Sequence, residues 1–89
     1  MFYYIYCLES EKCGELYFGY TKDLKRRLKE HNQKLNFSTK RYAPWKLIYY
    51  EACINEKDTK RREKYLKTNQ GRRMMKARIK EYLYEQRKI

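Results

Sequence analysis

One proline, three glycines, one histidine and three cysteines are spread over 89 residues. Three is an odd number, and Cys7, Cys13 and Cys53 form no CxxC pair and no cluster with histidine. That argues against a disulfide framework and against a zinc site, and it suits a reduced, cytoplasmic setting. Cys7 and Cys53 stand in apolar runs, where a thiol behaves as a small core residue. Long hydrophobic runs are missing too: nothing approaches the ~20 apolar residues of a membrane span. Met1 to Leu8 lacks the basic start and apolar stretch of a signal peptide. Without repeats, low-complexity tracts or linkers, residues 1–89 read as one small domain with one modest core.

What the chain has in excess is positive charge. Lys and Arg number 23 against 11 Asp and Glu, a formal net charge of +12. The surplus is uneven, +8 over residues 45–89 and +4 over residues 1–44. Such a balance favours a polyanionic partner, because each neutralised phosphate releases condensed counterions. Nucleic acid is the first reading. An anionic membrane surface is the second, and a merely basic soluble domain is the plain alternative. Eleven residues are Tyr. A tyrosine ring packs in a core with its hydroxyl at a wet boundary, or stacks on unpaired bases. The count alone does not choose between them.

Phe2–Leu8 is dense in aromatic and β-branched residues and predicts a first strand. Glu9–Glu15 is a polar turn containing Gly14, and Leu16–Tyr20 is the return strand of a hairpin. Alternation puts Tyr4 and Tyr6 on one face, Ile5 and Cys7 on the other, and Tyr17 with Gly19. Thr21 reads as a helix N-cap with Asp23 in the first turn. Leu24, Leu28, His31 and Leu35 then form a buried stripe, with Arg27 and His31 side by side at its edge. The helix fades over Asn32–Asn36, and Asn36–Pro44 is an irregular loop. Trp45–Cys53 reads as a third strand, with Leu47, Tyr49 and Glu51 on one face and Ile48, Tyr50 and Ala52 on the other. Asn55 and Asp58 mark a helix start, Lys57–Lys67 is helical, and Thr68–Gly71 is its stop. Met75, Ile79, Tyr82 and Leu83 define one face of a last helix from Arg72 onward.

Phosphodiester hydrolysis needs an activated water, stabilisation of charge on the phosphate and neutralisation of the leaving oxygen, often by a bound metal. Residue types suited to each part are present, but spacing alone does not bring them together. Read by type alone, Tyr6 and Tyr17 are sheet aromatics, Arg27 is a solvated arginine, His31 is structural, and Glu63 is an i,i+4 partner of Lys67.

Tyr4-Ile5-Tyr6, ten intervening residues and Tyr17-Phe18-Gly19 resemble the two-part signature of the GIY-YIG nuclease superfamily. Gly19–Asn32, Ala43–Ala52 and Arg62–Lys67 are similar to segments of its small stand-alone bacterial members, related to the excision-repair nuclease domain. The resemblance covers nearly the whole chain. It implies an α+β fold, a three-stranded antiparallel sheet flanked by helices in the order β-β-α-β-α-α. It implies hydrolysis of a DNA strand with one divalent metal, Mg²⁺ or Mn²⁺. Residue by residue, it assigns Tyr6 and Tyr17 to water activation, Arg27 to the phosphate, His31 to phosphate bonding or proton transfer, and Glu63 to the metal.

Lys22, Lys40 and Arg41 are expected phosphate contacts. Arg26, adjacent to Arg27, points about 100° away around a helix and is left out. Asn69 lies too close to Glu63 for the asparagine found in several members and is also left out. Tyr4 stands where the signature's name has glycine, and Phe18 replaces isoleucine. The expected partner is DNA and not a membrane, with room for a targeting protein. The alternative is a non-catalytic nucleic-acid-binding module of the same fold.

Overall fold

A computed structural model describes residues 1–87. Strand β1, Tyr3–Ser10, lies between β2, Leu16–Thr21, and β3, Trp45–Cys53, and both neighbours pair with it antiparallel. Helix α1, Leu24–Asn32, follows the hairpin, and α2, Glu56–Leu66, follows β3. The expected last helix is two, α3 Asn69–Arg78 and α4 Lys80–Arg87, parted at Ile79. The loop before β3 holds a single 3-10 turn, Lys40–Tyr42. The three-stranded sheet and the order of its elements agree with expectation.

The sheet separates two cores. Ile5, Cys7, Leu16 and Phe18 pack with Leu66 of α2 and Met75 of α3 on one face. Tyr6, Leu8 and Trp45 pack with Tyr17, Leu24, Leu28 and Leu47 on the other, beneath α1. Each buried side chain of this size contributes ~1.5–3 kcal/mol, so both faces are needed to hold so short a chain. Asn32 joins the end of α1 to β3: its amide accepts from Trp45 N and donates to Trp45 O. No helix among the described residues is long and apolar enough to cross a membrane.

Several local expectations are corrected. The N-cap of α1 is Asp23, whose carboxylate accepts from Arg26 N. Thr21 is still paired in β2 and instead bonds Asp23. Leu35 lies past the end of α1 and is exposed, so the buried stripe stops at His31. Thr68 is not a stop but the N-cap of α3, with its hydroxyl accepting from Gly71 N. A Cβ on Gly71 would collide with the Tyr65 carbonyl, which explains glycine at that tight junction. Cys7 is buried, whereas Cys53 is half-buried at the end of β3.

The face assignment of β3 also changes. Cys7 pairs with Tyr49, but Leu8 pairs with Leu47, so Ile48 is an extra residue in the ladder. This β-bulge breaks the strict alternation. Ile48 and Tyr49 both pack toward α2 and α3, while Leu47 turns to the Tyr6 face.

Candidate active site

Four elements meet at Tyr6. The tyrosine is 2% exposed. Its hydroxyl lies 2.9 Å from Nε2 of His31, and Arg27 Nε donates to it at 3.4 Å. One helical turn separates Arg27 from His31, which is why both reach the same strand residue. Gly19 lies directly across the ladder from Tyr6. A Cβ at Gly19 would enter the volume of the Tyr6 ring. Glycine is thus required there by close approach, not by backbone conformation.

His31 is fully buried, and its other nitrogen, Nδ1, lies 2.7 Å from Thr39 Oγ1. Thr39 itself accepts, through its carbonyl, from Trp45 Nε1 at 2.9 Å. Burial pushes the imidazole down to about 4, and the nearby Arg27 charge adds to the effect against a smaller opposing pull from Glu30. His31 is therefore neutral at pH 7, with one nitrogen a donor and the other an acceptor. Burial pushes the Tyr6 phenol up to about 12, with Arg27 pulling against it and the Tyr17 and Glu63 charges adding to it. Arg27 is held further in its charged form, first by its bond to Tyr6 and also by Glu30.

Tyr17 completes an aromatic cluster, its ring centroid 5.3 Å from His31, 6.4 Å from Tyr6 and 6.2 Å from Trp45. Helix α2 approaches from the β2 side. Lys67 Nζ lies 5.5 Å from the centre of the Tyr17 ring and 3.1 Å from Glu63 Oε2. Glu63 thus makes the i,i+4 ion pair that its spacing allows, and it also comes close enough for its charge to be felt at Tyr6. Its side chain keeps 22% of its surface open. No group of three or more His, Cys, Asp or Glu among the described residues is arranged to hold a metal. A single carboxylate suits a hard cation that keeps most of its waters and takes further oxygens from a substrate.

Tyr6, Tyr17, Arg27 and His31 are therefore brought together, with Glu63 at their margin. The expected phosphate contacts are more dispersed. Lys22 borders an open cleft with Arg26, Arg27, Glu30 and Glu56. Lys40 and Arg41 lie on the 3-10 turn beside Thr39, over the rings of Phe37 and Tyr42. Two residues of the site were not foreseen. Thr39 looks like any polar loop residue, and no sequence signal marks it as buried. Glu30, whose Oε1 is 3.0 Å from Arg27 Nη1, is legible only as an i,i+3 charge pair on α1.

Comparison with known proteins is consistent with this arrangement. Residues 2–84 match the family described as the GIY-YIG catalytic domain. A UPF0213 protein of Clostridium perfringens is 36% identical over 87 residues, covering 92% of each chain. The structure-specific endonuclease subunit slx1 of Schizosaccharomyces japonicus is 44% identical over 55 residues, 56% of this chain and 20% of that protein. The solution structure of a UPF0213 protein from Bacillus halodurans superposes with a TM-score of 0.54 at 29% identity, over 86% of this chain and 84% of that one.

Proposed function

Because the chain belongs to the GIY-YIG catalytic-domain family, we propose that it is a metal-dependent endonuclease that hydrolyses a DNA phosphodiester. The observation that carries the reading is the bonded set Arg27–Tyr6–His31–Thr39, with Glu63 beside it. The hydroxyl is thereby held between a cation and a neutral imidazole, a setting that can position it and stabilise its ionised form.

On this reading each residue has a role that its position supports. Arg27 presents its fork to the phosphate and stabilises the charge that builds there. The tautomer of His31 that donates from Nδ1 to Thr39 leaves Nε2 to accept a hydrogen bond from the Tyr6 hydroxyl; with the imidazole held down to about 4, the phenol's proton goes to solvent and not to His31. Tyr6 then takes a proton from the attacking water, with Arg27 stabilising the phenolate. The high proton affinity of that phenol means that it acts as a base only when positive charge, such as a bound cation would supply, is added beside it. Glu63 would hold Mg²⁺ or Mn²⁺, which when bound supplies charge at the phosphate and the leaving oxygen. Tyr17 walls the imidazole and keeps water from it. Lys22, Lys40 and Arg41 contact flanking phosphates, and recognition is directed to backbone and DNA shape. The protein acts in the cytoplasm, where its DNA lies.

The test incubates supercoiled, flapped and branched DNA with Mg²⁺ or Mn²⁺, comparing the wild type with Glu63→Gln and Arg27→Ala. The expected result is nicking by the wild type that chelator abolishes and that both variants lose. Cleavage surviving both substitutions would place the chemistry elsewhere. Salt-sensitive binding without cleavage of any substrate would make the protein a binding module.

A further inference from the structure

The Tyr6 face of the sheet is only half covered. Helix α1 and Trp45 close the end that holds Leu8 and Leu47. The other end carries Tyr4, in phase with Tyr6 on β1, and Tyr50, which lies directly opposite Tyr6 on β3. Helices α2 and α3 pack on the opposite face of the sheet. Tyr50 is left 53% exposed, with Ala52 beyond it exposed as well. The Tyr4 and Tyr50 rings meet edge to face, centroids 6.0 Å apart and planes at 65°. That geometry fixes the two rings while leaving ring surface open to solvent. Tyr4 is also the position at which the chain departs from the glycine of the signature's name.

We propose that Tyr4 and Tyr50 form a stacking platform for an unpaired nucleobase next to the phosphate held at Arg27. The proposal rests on the nuclease reading above. Three observations choose this occupant. Tyr50 is the cross-strand partner of Tyr6 and Tyr4 lies two residues along β1, both on the Tyr6 face, so the platform adjoins the strand residue that Arg27 bonds. The most open large side chain of the patch is the Tyr50 ring, backed by half-buried Tyr4, and an aromatic face accepts any base. The chain carries a formal net charge of +12, which favours a polyanion over an apolar partner or one poor in acidic groups. The platform gives the site a preference for DNA with an unpaired nucleotide at the junction, because a base inside an intact duplex has both its faces covered.

Binding is measured without divalent metal, so that cleavage plays no part, using fluorescein-labelled oligothymidylate and a duplex of equal length. Tyr50 is exposed, so Tyr50→Ala leaves the fold intact, which unfolding curves verify. We expect Tyr50→Ala to weaken single-strand binding about tenfold, with duplex binding unchanged and Tyr50→Phe close to wild type. With metal, Tyr50→Ala raises KM for flapped DNA while kcat is kept. No binding of the oligothymidylate by the wild type, or equal binding by Tyr50→Ala, overturns the platform. So does an equal loss on duplex, or a loss in Tyr50→Phe as large as in Tyr50→Ala, which would assign the effect to the hydroxyl. A dimer of the wild type that Tyr50→Ala dissolves would assign the patch to self-association and also overturn it. Tyr50-dependent single-strand binding by a protein that cleaves nothing leaves the platform standing and sinks the catalytic reading alone.

Discussion

The Tyr6 hydroxyl lies 2.9 Å from Nε2 of His31, twenty-five residues further along the chain. The phenol has an unusually high proton affinity and the imidazole an unusually low one, both through burial. At rest the proton stays on the oxygen. The phenol gives it up only when positive charge is added nearby, which would link catalysis to a cation arriving beside it.

The first consequence concerns Gly19. A methyl group at this position overlaps the Tyr6 ring. Gly19→Ala should move Tyr6 away from Arg27 and His31, destabilise the protein by about 1–3 kcal/mol and reduce cleavage by roughly a hundredfold or more. Urea unfolding and a nicking assay measure the two losses. Wild-type activity in Gly19→Ala would mean that the Tyr6 position is not critical.

Stability should depend on pH through His31. In the unfolded chain the imidazole titrates near ~6.5. In the folded protein it is lowered to about 4. Above pH 6.5 neither state carries the proton and stability is complete. As pH falls from 6.5 toward 4, the unfolded state gains a proton that the folded state refuses, and stability drops by about 3 kcal/mol in all. The measurement is the difference in unfolding free energy between pH 7 and pH 4.5. It should be larger for the wild type than for His31→Gln, and equal slopes would contradict the buried neutral imidazole.

Thr39 sets the orientation of that imidazole. Thr39→Val keeps the shape but leaves Nδ1 without a partner, which costs about 1–3 kcal/mol. Cleavage should fall and its pH profile shift, while DNA binding is kept. Thr39→Ser should restore the wild-type profile. If valine and serine behave alike, the 2.7 Å contact has no part in positioning His31.

Arg27 is expected to resist conservative exchange. Its Nε bonds Tyr6 while Nη1 bonds Glu30, so two nitrogens are engaged by the protein before any phosphate arrives. A lysine ammonium is a single point and cannot reproduce that fork. Arg27→Lys should lose about a hundredfold or more in kcat, close to Arg27→Ala. A lysine variant with near wild-type kcat would show that charge alone is needed.

Much of this architecture was readable from residue pattern. The three strands announce themselves through aromatic and β-branched runs, and Asn55 with Asp58 marks the start of α2, where the Asn55 side chain accepts from Asp58 N. The convergence of Tyr6, Tyr17, Arg27 and His31 follows from a hairpin leading into an amphipathic helix. Glu63 was different. In a run of lysines and arginines its spacing fits an ion pair equally well, and only the family resemblance singled it out. Thr21 and Asp23 are both good caps, and the choice fell to Asp23 because cross-strand pairing had already claimed Thr21. The division between α3 and α4 at Ile79 interrupts a continuous amphipathic pattern, so periodicity could not reveal it. Thr39 became visible only once its loop had folded over His31.

The extra residue at Ile48 has a wider meaning for how this strand tolerates change. It shifts the phase of β3 midway, so that Trp45 can lean on Tyr17 at one end and Tyr50 can meet Tyr4 at the other, both from a single face. Counted by strict twos, those two rings would lie on opposite sides. Removing one residue between Trp45 and Tyr50 would therefore do more than shorten a strand. It would force the chain to choose between sealing the imidazole and displaying the outer ring, and natural length variation in this fold should fall outside that interval.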